Sequence, residues 1–157
     1  MDRLAAANPG TGVIWTVLPP KRFHAEPIDT LMDRARPDFT AIREVAKSFP
    51  RLPIVVWNAS YRSDRFLVPI MDECKNVHVG LAFAFVQTDV VEEFCGRYGP
   101  GRLIFGSSWP LQSPGPFISL VNYANVDDKA KQAIFSGNVA RLLSEVKWPV
   151  KGIGARK

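Results

Sequence analysis

Gly101-Arg102-Leu103-Ile104-Phe105-Gly106-Ser107-Ser108-Trp109-Pro110 reads as a short apolar strand that breaks into a polar and aromatic turn. Its apolar residues run consecutively rather than alternating with polar ones. That is the pattern of a strand covered on both faces, as in parallel sheets. The strand is predicted over about 102–106, and similar runs lie at about 13–18, 53–58 and 77–85.

Amphipathic stretches fill the intervals. Residues 38–49 place Phe39, Ile42, Val45, Ala46 and Phe49 at helical spacing, with Asp38 as the cap. Residues 89–98 put Val90, Val91, Phe94, Cys95 and Tyr98 on one face, with Thr88 as the cap. A helix is also predicted over 65–75, its start left open because Pro69 is tolerated only in a first turn, where proline's missing donor is harmless. Near the end, 127–135 and 138–146 read as two helices divided at Gly137-Asn138, with Asn138 capping the second. Pro110, Pro114 and Pro116 with Gly115 mark a loop. Strand and helix therefore alternate, which predicts an α/β fold of parallel βα units.

At 157 residues the chain suits one domain, expected over 1–146 with a basic tail at 147–157. Its 46% apolar and 22% charged residues are globular proportions, so the body is not expected to be disordered. No run reaches the roughly 18 apolar residues of a membrane span. The first nine residues lack an apolar stretch, so no cleaved leader is expected. Cys74 and Cys95 are far apart and have no CxxC partner, which reads as reduced packing thiols in a cytoplasmic protein. The net charge is +5, but the basic residues are scattered. They are densest in the tail, at Lys147, Lys151, Arg156 and Lys157, which reads as a solvated tail rather than a nucleic-acid surface.

Ligand sites in parallel α/β folds gather at the carboxyl ends of strands. Three such ends carry polar and aromatic residues: Asn58 to Arg62, Gly106 to Pro110, and Pro19 to His24. Asn58 is either a ligand-binding amide or a strand-ending turn residue, and Ser108 either a substrate-contacting hydroxyl or a turn serine. Arg62 has the fork that clamps a carboxylate, although arginine is also a common surface residue. His24 is a speculative acid–base group on an exposed loop. His78, inside a strand, reads as structural. Trp57 and Asn58 are adjacent, so in a regular strand they point to opposite faces. That places Trp57 in the outer, helix-covered layer and leaves Trp109 as the pocket aromatic.

The 101–110 stretch resembles the closing "dRilfGSDwP" motif of the amidohydrolase-related family. Lys131 to Leu143, with Gly137-Asn138, resembles its "i-gGNaarLl" tail. Phe49 to Val56 resembles "yPdlpvvldHlG", and Lys75-Asn76-Val77-His78-Val79 resembles "pNVyvdls". The resemblance implies a (β/α)8 TIM-type barrel. It also implies a metal-dependent hydrolase that cleaves C–N or C–O bonds, or a decarboxylase of small organic acids. In that pattern imidazoles hold a divalent metal such as zinc, and an Asp on the last strand moves a proton. Here Ser108 stands at the Asp position and Asn58 at the His position. The chain has no His-x-His, and its two histidines are His24 and His78. The expected site is therefore Ser108 with His24 at catalytic positions, Asn58, Arg62 and Trp109 on substrate, and no assigned metal ligand.

A complete barrel of this type needs about 250 residues. The chain is thus expected to form the later half to two-thirds of one, completed by the rest of a barrel or by a homo-oligomer. The sequence equally allows a non-catalytic module on the same fold that binds a small molecule or mediates assembly.

Overall fold

A computed structural model describes residues 15–16 (backbone), 39–57, 59, 64–81, 89–107 and 113–145. In chain order they form β1 (Trp15–Thr16), α1 (Phe39–Ser48), β2 (Ile54–Val56), α2 (Asp64–Glu73), β3 (Val77–Leu81), α3 (Val90–Tyr98), a 3-10 turn (Pro100–Arg102), β4 (Leu103–Phe105), α4 (Gly115–Asn122), α5 (Asp128–Gln132), a π turn (Ala133–Gly137) and α6 (Asn138–Ser144). The strands make one sheet in the order β1-β2-β3-β4, every pairing parallel. This is the α/β architecture that the alternating runs predict.

The sheet is buried on both faces, which is why its strands read as unbroken apolar runs. Ile54, Val56, Val77, Val79, Leu81 and Leu103 are fully buried on one face. They meet Ile42 and Ala46 of α1, Leu67, Ile70 and Met71 of α2, and Val90, Val91 and Phe94 of α3. The intervening residues point the other way. There Val55 and Ile104 cluster with Leu142 of α6, and Trp57 and Val139 pack against them. In the barrel that the sequence leads one to expect, this second face is the lumen side.

Three long side chains hold the units together, each at the amino end of the sheet. Helices leave their last carbonyls without internal donors. Asn76, just before β3, donates through Nδ2 to Ala46, Phe49 and Leu52 carbonyls at 3.2, 3.0 and 2.9 Å, closing the end of α1. Arg102, just before β4, does the same for α2. Its guanidinium donates to the carbonyls of Met71 (2.8 Å), Cys74 (2.7 Å) and Val77 (2.8 Å). Asn138 Nδ2 donates to Pro100 and Leu103 carbonyls, both at 2.7 Å.

The last helical segment departs from the two-helix expectation. Residues 128–144 run without a break through the π turn. Asn138 is therefore an interior residue, 5% exposed, and caps no helix. Ala130, Ile134, Asn138 and Leu142 are its buried positions, spaced four apart. A strict spacing of four overruns the turn of an α-helix, and the wider π turn takes up the surplus. The segment passes beneath the sheet, with Ile134 in the helix-side core and Leu142 in the lumen-side cluster.

Other expectations shift locally. The N-cap of α3 is Asp89 rather than Thr88; it sits in the left-handed region (φ 58°) and makes no side-chain cap bond. Pro69 lies inside α2, beyond its first turn, where burial of Leu67, Ile70 and Met71 outweighs the lost bond. The Gly-Pro stretch expected as a loop begins α4, because prolines at a helix start forfeit only donors that have no partner there. Cys74 and Cys95 are free thiols. No helix among the described residues is long and apolar enough to cross a membrane.

Candidate functional site

The carboxyl end of the sheet is formed by Trp57 after β2, Leu81 ending β3, and Gly106 and Ser107 after β4. The ladder continues one step past β4, where Gly106 N–H donates to the Leu81 carbonyl at 3.1 Å. Asn58, Arg62, Ser108 and Trp109, the residues expected at this mouth, lie outside the described residues, as does His24.

This end of the sheet corrects the placement of Trp57. Its indole lies on the lumen side, across β3 and β4. A Cβ added at Gly80 would fall 1.9 Å from Trp57 Cε3, and one at Gly106 would fall 2.2 Å from Cζ3. Both glycines thus form a cradle for the six-membered ring, and only a residue with no Cβ fits at either position. Trp57 also packs on the layer of Val55, Ile104 and Leu142 beneath it. The outer-layer expectation rested on regular alternation through Asn58. Alternation fails there, because Ala59, two residues past Trp57, is buried in the opposite, helix-side core. The overlooked signal is the pair of glycines on adjacent strands, which leaves room for one large ring.

His78 is the one described lumen-side residue of these strands with an imidazole. It pairs in register with Val55 and is 6% exposed. Burial, then the positive charges of Arg141 and Arg102, pull its pKa down from 6.5 to about 4, against a backbone hydrogen bond at Gly101. Its Nδ1 has no hydrogen-bond partner among the described residues. The ring is therefore neutral at pH 7 and serves packing at the amino half of the wall, as the sequence reading held.

The linkage has a definite sign. A folded pKa below the unfolded one favours the fold while the ring is neutral, so its stabilisation is complete above pH 6.5 and is lost as pH falls through about 4. The shift is worth about 3 kcal/mol. Urea melts at pH 7, 5 and 4 are expected to show this acid-side loss, and His78→Val is expected to flatten it. The same slope in the variant would contradict the assignment.

Asp64, the first residue of α2, was not singled out by the sequence. Burial, then the Glu93 carboxylate, raise its pKa, and one of its carboxylate oxygens is buried without a partner among the described residues. A separate open groove is lined by Glu92, Cys95, Asn125, Asp127 and Lys129, away from the Trp57 wall. Its polar groups are engaged in local structure: Glu92 accepts from Asn125 N–H, and Asp127 from Ala130 N–H.

Three comparisons bear on this wall. The amidohydrolase family profile matches residues 3–144. The chain belongs to the amidohydrolase family. Solved structures show the same fold. An uncharacterised TIM-barrel protein from Bordetella bronchiseptica aligns at TM-score 0.63 and 18% identity, over 91% of this chain and 48% of its own. A 2,6-dihydroxybenzoate decarboxylase, solved with 2,6-dihydroxybenzoate, aligns at 0.54 and 14%, over 84% and 51%. Amidohydrolase 2 from Bifidobacterium longum subsp. infantis aligns at 0.53 and 14%, over 91% and 73%. The chain thus spans about half the length of the first two. No curated protein matches it.

Members of this family generally use a divalent metal. The described residues of this amidohydrolase wall do not fit one. At the level where a barrel mouth presents ligands, the described lumen side offers an indole and two glycines. His78 lies deeper, near two arginines that repel a cation. No group of three or more His, Cys, Asp or Glu among the described residues is placed to hold a metal. The motif resemblance aligns Asn58 and Ser108 with an imidazole and a carboxylate, and a neutral amide and hydroxyl bind such ions poorly.

Proposed function

We propose that this amidohydrolase chain forms one wall of a small-molecule site at the carboxyl end of its sheet. The site takes a small organic acid and works without the family's metal centre. The observation that carries the reading is Trp57, seated on Gly80 and Gly106 at that end. An aromatic surface on rigid strands beside a few polar groups is the usual make-up of a small-molecule site. Asn58 supplies an amide, Ser108 a hydroxyl, Arg62 a carboxylate clamp and Trp109 a second aromatic wall. Neither Ser108 nor His24 is given a bond-breaking role in this reading.

The related decarboxylase supplies the probe, 2,6-dihydroxybenzoate. In excess EDTA, saturating probe is expected to raise the melting temperature of the full chain by several degrees. Arg62→Ala and Trp109→Ala are each expected to weaken binding by about tenfold or more. Shifts insensitive to both changes would overturn the reading, and so would carbon dioxide release from the probe once zinc is supplied.

A second reading concerns assembly. The four described strands form an open parallel sheet, whereas the family's barrels close with eight. An open edge presents unpaired backbone groups. The chain would accordingly be completed by a second copy or by the remainder of a barrel, and a well-folded dilute monomer in analytical ultracentrifugation would refute this.

A further inference from the structure

We infer that Trp57 is the specificity-determining floor of the site, limiting how deep a ligand can sit. This rests on the reading above, that the carboxyl end of the sheet is a small-molecule site.

The layers of the lumen side carry the argument. Val55, Ile104 and Leu142 fill the lower layer and are each almost fully buried. Above them the wall would be bare backbone at Gly80 and Gly106, and the indole of Trp57 fills that space. One edge of the ring is spent on the glycines, yet the residue as a whole is only half-buried. In the proposed site, the part of the residue not held by that cradle or the layer beneath is what a ligand meets. An indole seated this closely on the backbone of Gly80 and Gly106 cannot shift toward them, so the floor is rigid on that side. Ligand length is therefore limited from below by Trp57.

Truncating the indole would open a shaft one ring deep, lined by glycine backbone. The test compares two acids, 2,6-dihydroxybenzoate and the longer 4-phenylbenzoate, against the full chain and its Trp57→Ala variant. Trp57→Ala is expected to shift the ratio of the two dissociation constants by about tenfold toward the longer acid. Added indole, refilling the shaft, should restore the original ratio. A merely structural tryptophan would weaken both acids alike and leave the ratio unmoved, which would overturn the floor.

Trp57→Leu keeps apolar bulk and serves where the alanine variant does not fold; it predicts a smaller shift of the same sign. If the unaltered chain binds neither acid, the proposed function fails, and the floor is judged by indole alone. A rise in the melting temperature of Trp57→Ala, or of Trp57→Leu in its place, with none in the unaltered chain, would then support the shaft. No rise would overturn it.

Discussion

Gly80→Ala is expected to destabilise the chain by about 3–5 kcal/mol. The new methyl would fall 1.9 Å from Cε3 and 2.5 Å from Cδ2 of Trp57. Neither is the flexible tip of a side chain. Both belong to a rigid ring held against Val55, Ile104 and Leu142. Gly80 itself lies within β3, paired with Ile104 of β4, so the backbone has little room to retreat. The indole must therefore leave its seat, and the cost approaches that of losing a packed aromatic. The double variant Gly80→Ala/Trp57→Leu should recover more than about 1 kcal/mol of the loss, because the two residues share one volume. Additive effects of the two changes, measured by urea denaturation, would contradict the cradle. Gly106→Ala meets the same ring at 2.2 Å and should behave alike.

Arg102→Ala is the second large effect, expected at about 2–4 kcal/mol. The side chain is half-buried and its three donors reach three carbonyls from the end of α2 and the start of β3. Removing it strands those carbonyls where little water reaches them. Arg102→Lys should recover less than half the loss, since one ammonium cannot span three acceptors fixed in a fork geometry. The surface pairs make a useful contrast. Arg97 with Asp72, and Lys47 with Glu73, link neighbouring helices at 2.6 Å but are exposed. Their removal should cost far less than removal of Arg102. A loss for Arg102→Ala no larger than theirs would mean its bonds are made equally well by water.

The motifs that suggested a family turn out to have distinct physical roles. Asn76, Arg102 and Asn138 each sit in a motif resembling the amidohydrolase pattern, and each binds carbonyls at the amino end of the sheet. They build the scaffold. Asn58 and Ser108 stand at the motif positions to which the resemblance assigns the chemistry, and there the sequence departs from the pattern. Likeness is thus carried by residues whose task is stability, which is why the resemblance bears first on the fold.

The strands were legible because a doubly buried parallel strand leaves an unbroken apolar run. The predicted runs at 53–58, 77–85 and 102–106 contain the observed strands. Helix faces were legible from periodicity, as the burial of Ile42, Ala46 and Phe94 bears out. What failed needed information that lies outside local pattern. Gly137-Asn138 looks like a break, yet the chain stays helical because Asn138 finds its acceptors on Pro100 and Leu103. Trp57 looked outward because a regular strand was assumed through Asn58. Its true face depends on two glycines on other strands, a contact no local window contains.

The most direct test of the account is an isothermal titration of the full chain with 2,6-dihydroxybenzoate, run once in excess EDTA and once with one equivalent of zinc. The account predicts binding of the same affinity in both. Binding that appears only with zinc, at one ion per chain, would contradict it and return the site to the metal chemistry of its family.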